Sequence, residues 1–301
     1  MDSLDRLRRA CEAVAERAEH VHIERDAIPA YAASLPGEMP TPEPDPHLTT
    51  GTREERAAFW LTLDAINFGS GWFPTLRKRG GRSGYFTIAA GVQEHGPWSA
   101  SELEGLRAAD IATVLGQDPD HELMALFAAS LNDLGRRSAS EFGGRFATVV
   151  DAADGSAAAL VQTLSRWACF SDISTYEGLE LPFLKRAQIA AADLHRAGLL
   201  SAPDLGRLTM FADNLVPHVL RLDGVLTFAS QLVKHIEQEQ LIEHGSREEV
   251  EIRACSVHAV ELIVAQRPGS CASEIDQLLW NRGQGQTYKS RPRHRTRCTA
   301  Y

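Results

Sequence analysis

The chain has 301 residues, 44% of them apolar and 24% charged, which is enough to bury a full hydrophobic core and too apolar for a disordered protein. Its formal net charge of -9 opposes the broad electrostatic attraction that polyanionic nucleic acid requires, while a small anion needs only a local basic pocket. Five widely spaced cysteines form no CxxC pair and read as free thiols of a reducing compartment, and no apolar run reaches transmembrane length, so a cytoplasmic protein without a membrane partner is expected.

Leu4, Leu7, Cys11, Val14 and Ala18 recur at helical spacing, which predicts a first helix whose scattered charges are unlike a secretory signal. Five prolines crowd the run from Pro36 to Pro46, too many for a helix or a central strand, so an ordered loop or a spacer is expected there. His47 follows directly. Thr52 and Glu55 form a capping-box pattern that opens a helix carrying Trp60, Leu63 and Phe68. Between Trp72 and Ala89 the basic turn RKRGGRSG separates Phe73 from Tyr85-Phe86-Thr87-Ile88, which predicts a small β-hairpin. From Ser99 onward SASELEGLRAADIATVLG, HELMALFAASLNDLG and SAAALVQTLSRW have apolar residues three and four apart and predict further helices.

The stretch from Leu181 to Leu220 carries the strongest chemical signal. Pro182 suits the first turn of a helix with the apolar stripe Leu184, Ala187, Ala191 and Leu194, and Gly198 is placed to end it. Lys185 then lies off that stripe, on a face where a lysine is ordinarily solvated. Pro203 starts a brief helical piece, and Pro217 suits the first turn of another helix, so Asp213 stands at a helix entrance where the positive end of the dipole suits a carboxylate. Ser246 with Glu249 predicts a second capping box, before a long helix that stops at Pro268; Gly283 is placed to close the helix bearing Asp276 and Trp280. The basic run Lys289, Arg291, Arg293, His294, Arg295 and Arg297 offers donors for a phosphate, with the Arg77-Lys78-Arg79 turn as the alternative. The 11 histidines have no HExxH context, and no phosphate-binding glycine loop appears, so neither a metal nor a cofactor is expected. Without a repeat or a low-complexity linker, residues 1–301 are expected to form a single, mainly α domain with one small hairpin.

KRAQIAAADL, LTMFADNLVP, EEVEIRACSVHAVELI and HRTRC, together with LDAINF, FSDISTYEG and IDQLLWN, resemble the queuosine salvage family from about residue 47 to the end. The resemblance implies a hydrolase that releases the base queuine from queuosine 5'-phosphate, with no cofactor and no stable nucleic-acid partner. The family's helical core is in turn similar to helix-hairpin-helix DNA glycosylases, in which a lysine on the first helix and an aspartate after the hairpin do the chemistry; Lys185 and Asp213 fall on those positions. The implied roles are nucleophile or stabiliser of a ribosyl cation for Asp213 and electrostatic support for Lys185. Substrate contacts are implied for His47, Asn214, Asp276, Gln277, Asn281 and Arg297, with Asp276 reading the base. The family carries an aromatic residue where Gln277 stands and an acid where Asn281 stands. Trp280 is expected in the core, and Asp64 and Asp172 lie in matched segments where capping or packing would equally explain them. The rival expectations are a helical nucleic-acid-binding or DNA-repair protein on the glycosylase scaffold, which the acidic charge opposes, and a non-catalytic helical interaction module.

Overall fold

The helical periodicities become helices along most of the chain in a computed structural model that describes residues 2–37 and 47–301. The first predicted helix is α1 (Ser3–Ala15), with Leu4, Leu7, Cys11 and Val14 fully buried and Asp2 capping it by accepting from the Leu4 amide. After β1 (Val21–Ile23) and α2 (Ile28–Ser34), most of the proline-rich run lies outside the described residues. The expected capping box opens α3 (Arg53–Ala65): the Thr52 hydroxyl accepts from the Glu55 amide, and the Thr52 amide donates to the Glu55 carboxylate at 2.7 Å.

The stretch from Trp72 to Ala89 is not a hairpin. Phe73–Thr75 is a short 3-10 turn, and Tyr85-Phe86-Thr87-Ile88 forms the first turns of α4 (Gly84–His95). Two effects override the strand propensity of those residues. The Ser83 hydroxyl caps the helix by accepting from the Phe86 amide, and Ile88, Ala89 and Val92 enter the core at helical spacing. The next predicted helix divides at Gly105 into α5 (Ala100–Glu104) and α6 (Ala108–Leu115), followed by α7 (Glu122–Phe142), α8 (Phe146–Asp151) and α9 (Ala157–Leu164).

The hairpin is elsewhere. Strands β2 (Ser174–Tyr176) and β3 (Leu179–Leu181) pair antiparallel, Ser174 opposite Leu181, across the two-residue turn Glu177-Gly178, whose φ values of 48° and 83° are both positive as a primed turn requires. Helix α10 (Lys185–Arg196) begins later than expected: Pro182 precedes it, and Leu184 takes the left-handed conformation at φ 50°, so Lys185 is the first helical residue. Gly198 lies just past its end with φ 70°. Pro217 occupies the first turn of α11 (Val216–Leu222). Strand β4 (Leu226–Phe228) then pairs antiparallel with β1, and α12 (Ser230–Glu237), α13 (Arg247–Ala265), α14 (Ala272–Gly283) and α15 (Gln286–Lys289) complete the elements. Only half of the capping box expected at Ser246 forms. Its hydroxyl accepts from the Glu249 amide, but the Glu249 carboxylate turns to the Gly245 amide. Gly283 is the last residue of α14 and serves close approach, since a Cβ there would lie 2.8 Å from Leu215 Cδ1.

Buried apolar side chains gather in two large clusters. One draws on α3, α7, α9 and α10, the other on α1, α11, α13 and α14. The chain crosses between them twice in a way that matters for the site. Phe183 belongs to the second cluster and Leu184 to the first; Met210 and Ala212 belong to the second, Leu208 and Phe211 to the first. Among the described residues no helix is long and apolar enough to cross a membrane.

Candidate active site

Each of these two crossings delivers one chemically expected residue to the same cavity, Lys185 from the start of α10 and Asp213 from the entrance of α11. The cavity encloses about 1060 Å³, solvent at its mouth included. Its wall also takes Asp193 and Arg196 from α10, Asn214 and Leu215 beside Asp213, Asp276, Gln277 and Trp280 from α14, and Lys289, Arg293 and Tyr301 from the C-terminal stretch, with His47, Asn67 and Tyr85 from earlier in the chain.

Lys185 is only 4% exposed, in contrast to the solvated position that its place off the apolar stripe suggests. Its Nζ donates to the Asn67 carbonyl at 2.8 Å and to Asn67 Oδ1 at 3.1 Å. Burial pushes this ammonium down to about 8, against the opposing pull of the Asp213 carboxylate. Asp213 is fixed by the backbone it precedes: Oδ1 accepts from the Leu215 amide at 2.8 Å and from the Val216 amide at 3.1 Å. These bonds hold one oxygen at the helix entrance and leave the other to the cavity.

Asp276 is buried on the α14 side, where Oδ1 accepts from the Phe211 amide at 3.0 Å. Burial, and then the charge of Asp213, push its carboxyl well above the ordinary range, so it can stay neutral and donate a hydrogen bond. Gln277 lines the cavity and accepts from Arg196 at 2.8 Å, while its amide donates to Asn281 Oδ1 at 3.1 Å. Asn281 does not line the cavity itself; it lies behind Gln277. Trp280, expected in the core, is half-buried against the second apolar cluster and also lines the cavity, where it meets Tyr85 and Phe86 edge to face with ring centroids 6.0 and 5.8 Å apart. The His47 ring lies 4.6 Å from that of Trp60, with Nε2 3.0 Å from the Tyr85 hydroxyl. Asn214 Nδ2 donates to the His294 carbonyl at 3.3 Å.

Arg297 lies outside the cavity lining, exposed, with Nη1 3.5 Å from Glu122 and its guanidinium over the Trp72 ring. Nor does the Arg77-Lys78-Arg79 turn reach the cavity: Arg77 is 3.7 Å from Asp118, Lys78 donates to the Phe73 carbonyl, and Arg79 pairs with Glu94. Lys289 and Arg293 are the members of the basic C-terminal run that line the wall. Burial lowers the Arg293 guanidinium from its usual value while Asp213 pulls the other way. Sequence reasoning misses Asn67, Asp193, Arg196 and Tyr301. A signal existed for two of them, because Asp193 and Arg196 continue the face of α10 that Lys185 and Ile189 begin. Among the described residues no group of three or more His, Cys, Asp or Glu side chains could hold a metal ion.

Residues 47–301 match the family described as queuosine salvage protein. The chain is 35% identical to a protein of Sphaerobacter thermophilus named queuosine 5'-phosphate N-glycosylase/hydrolase, over 96% of this chain and 95% of that one. A Bos taurus protein of the same name is 29% identical over 100% of both chains, and one from Dictyostelium discoideum is 37% identical over 53% of each. The matched span takes in every residue of the cavity wall, from His47 to Tyr301, and the chain therefore belongs to the queuosine salvage protein family.

Proposed function

We propose that the protein hydrolyses the N-glycosidic bond of queuosine 5'-phosphate, releasing queuine and ribose 5-phosphate. The observation that carries this reading is the convergence of Lys185 and Asp213 on one cavity, with the buried acid Asp276 and the basic pair Lys289 and Arg293 in the same wall. As the bond from the base nitrogen to C1' of the ribose breaks, its electron pair leaves with the base and positive charge builds on the sugar. The Asp213 carboxylate either attacks C1', forming an ester that water then displaces to set the carboxylate free, or stabilises the cation until water adds at C1'; in both cases it passes the proton that water gives up on to solvent. The departing nitrogen takes a proton from solvent, and the Asp276 carboxyl in its protonated form supplies a hydrogen bond to the base. The Lys185 ammonium, anchored on Asn67, counterbalances Asp213 and faces substrate oxygens. His47, Asn214 and Gln277 contact substrate, with Asn281 acting through Gln277. Lys289 and Arg293 take the 5'-phosphate, and Arg297 does not.

The two apolar clusters share this cavity, which supports one domain over residues 1–301. Five free cysteines and the absence of a spanning helix among the described residues support a cytoplasmic, reducing location. No cofactor takes part. The test is chromatography of free queuine after incubation with queuosine, its 5'-phosphate and intact tRNA. The 5'-phosphate should be the preferred substrate, and Asp213→Asn should lower kcat by about 10²-fold or more while substrate binding survives. Near wild-type turnover by that variant would remove Asp213 from the chemistry, and comparable release from tRNA would overturn the choice of substrate.

A further inference from the structure

Three segments distant in sequence meet at the side chain of Arg253, which lies on α13, is fully buried and has no part in the chemistry described above. Its Nη1 donates to Asp172 Oδ1 at 3.0 Å, its Nη2 to Asp172 Oδ2 at 2.6 Å, and its Nε to the Ala212 carbonyl at 3.0 Å. The guanidinium carbon lies 3.9 Å from the Phe183 ring centroid and 4.7 Å from that of Tyr301. Asp172 is already engaged with the start of α10. Its Oδ2 accepts from the Lys185 amide at 3.1 Å, and its carbonyl accepts from the Leu184 amide at 3.1 Å. One guanidinium thus holds the peptide immediately before Asp213 and, through one carboxylate, the peptide of Lys185. Leu184, which directly precedes Lys185, is in a left-handed conformation that a leucine adopts only at a cost of about 1–3 kcal/mol, which the surrounding bonds must hold.

We propose that Arg253 and Asp172 form a clamp that sets Lys185 and Asp213 in register, and that both are positioning residues for the reaction. The inference rests on the reading of Lys185 and Asp213 as the reacting pair. Stability alone does not account for the arrangement, because a buried ion pair is often matched or bettered by apolar side chains of similar volume. Apolar side chains could not fix acceptors on two separate loops at once. The planar five-donor fork of arginine can, and a lysine could not reach the same acceptors. Glu249 supplies the control, since its carboxylate lies 3.7 Å from Arg253 and touches neither loop.

The experiment compares Arg253→Lys, Asp172→Asn and Glu249→Gln in the full chain with queuosine 5'-phosphate as substrate. It measures kcat, KM, the pH profile and Tm, with near-ultraviolet circular dichroism to check folding at the assay temperature. Arg253→Lys and Asp172→Asn should each lower kcat by about 10²-fold with little change in KM, the loss expected when reacting groups shift by about 1 Å. Asp172→Asn should also move the alkaline limb of activity to lower pH. Asp172 is one of the carboxylates that favour the Lys185 ammonium, together with Asp64 and Asp213; Asp276 faces it from α14, and Arg186 on its own helix opposes. Glu249→Gln should lower Tm and leave kcat and the alkaline limb as in wild type. If Arg253→Lys does not fold, Asp172→Asn decides alone. Wild-type kcat and limb in a folded Asp172→Asn variant would overturn the clamp, as would an equal kcat loss in Glu249→Gln. Failure of the wild-type enzyme to release queuine would instead overturn the assignment of the cavity.

Discussion

Burial brings the Lys185 ammonium to about 8, so its charge is lost just above neutral pH, and this gives the electrostatic role a direct test. The protonated form carries the charge, so kcat/KM should be level below that value and fall as pH rises through about 8. Lys185→Arg keeps a cation and should retain partial activity with the alkaline limb displaced upward, whereas Lys185→Met should lose most activity at every pH. A reduced adduct on Lys185 after borohydride treatment with substrate would show a Schiff base and overturn this account. Lys185 and Asp213 stand out in the sequence through the resemblance to the family, because a lysine on a helix and an aspartate at a helix entrance are by themselves ordinary; the structure adds that both line one cavity. Their partners do not stand out. Asn67 lies 118 residues from Lys185, and Arg253 lies 81 residues from Asp172, so nothing in a local pattern joins them.

Among the elements, helices with one apolar stripe could be read directly, while two segments show where a local pattern misleads. Tyr85-Phe86-Thr87-Ile88 favours a strand by composition, yet the Ser83 cap and the burial of Ile88 and Val92 make it helical. Ser174–Leu181 carries the true hairpin signal, three residues either side of Glu177-Gly178, in a segment short enough to pass for loop. The HRTRC match implies that the C-terminal stretch folds back, but where it docks was not legible, because that depends on a backbone contact. The Gly69 amide donates to the Tyr301 carbonyl at 3.0 Å, and a Cβ on Gly71 would lie 2.5 Å from the Thr296 carbonyl oxygen. No rotamer change relieves a collision with backbone. Gly71→Ala should therefore cost about 3 kcal/mol or more, the upper end for overpacking, and lower activity as Tyr301 leaves the cavity wall. The atoms nearest to a Cβ on Gly283 belong to the Leu215 and Val219 side chains, which can shift, so Gly283→Ala should cost less. Thermal denaturation of both variants checks the order, and equal or reversed shifts in Tm would show that the tail is not held through Gly71.

Over the whole molecule, a net charge of -9 coexists with a basic patch at the cavity wall, and that contrast bears on which substrate is accepted. An anionic surface repels a polyanion over a Debye length of about 8 Å at physiological salt, whereas a single phosphate meets only the local field. The basic run at Lys289 to Arg297 was legible as the source of that field, but its residues are not equivalent once folded. Arg297 is turned outward to Glu122 and Trp72, Arg295 pairs with Glu239, and Lys289 and Arg293 face the cavity. A 5'-phosphate there should raise kcat/KM over the bare nucleoside through charge-assisted hydrogen bonds. Arg293→Ala should erase most of that advantage, a loss of about 1.5–3 kcal/mol or roughly 10- to 100-fold, while cleavage of the nucleoside changes little. Arg297→Ala should leave both rates near wild type. The comparison to make is kcat/KM for nucleoside and 5'-phosphate with wild type and both variants, at two salt concentrations. If Arg297→Ala removes the phosphate advantage and Arg293→Ala does not, the phosphate is held by the outer end of the tail, and the basic pair at the cavity wall has another purpose.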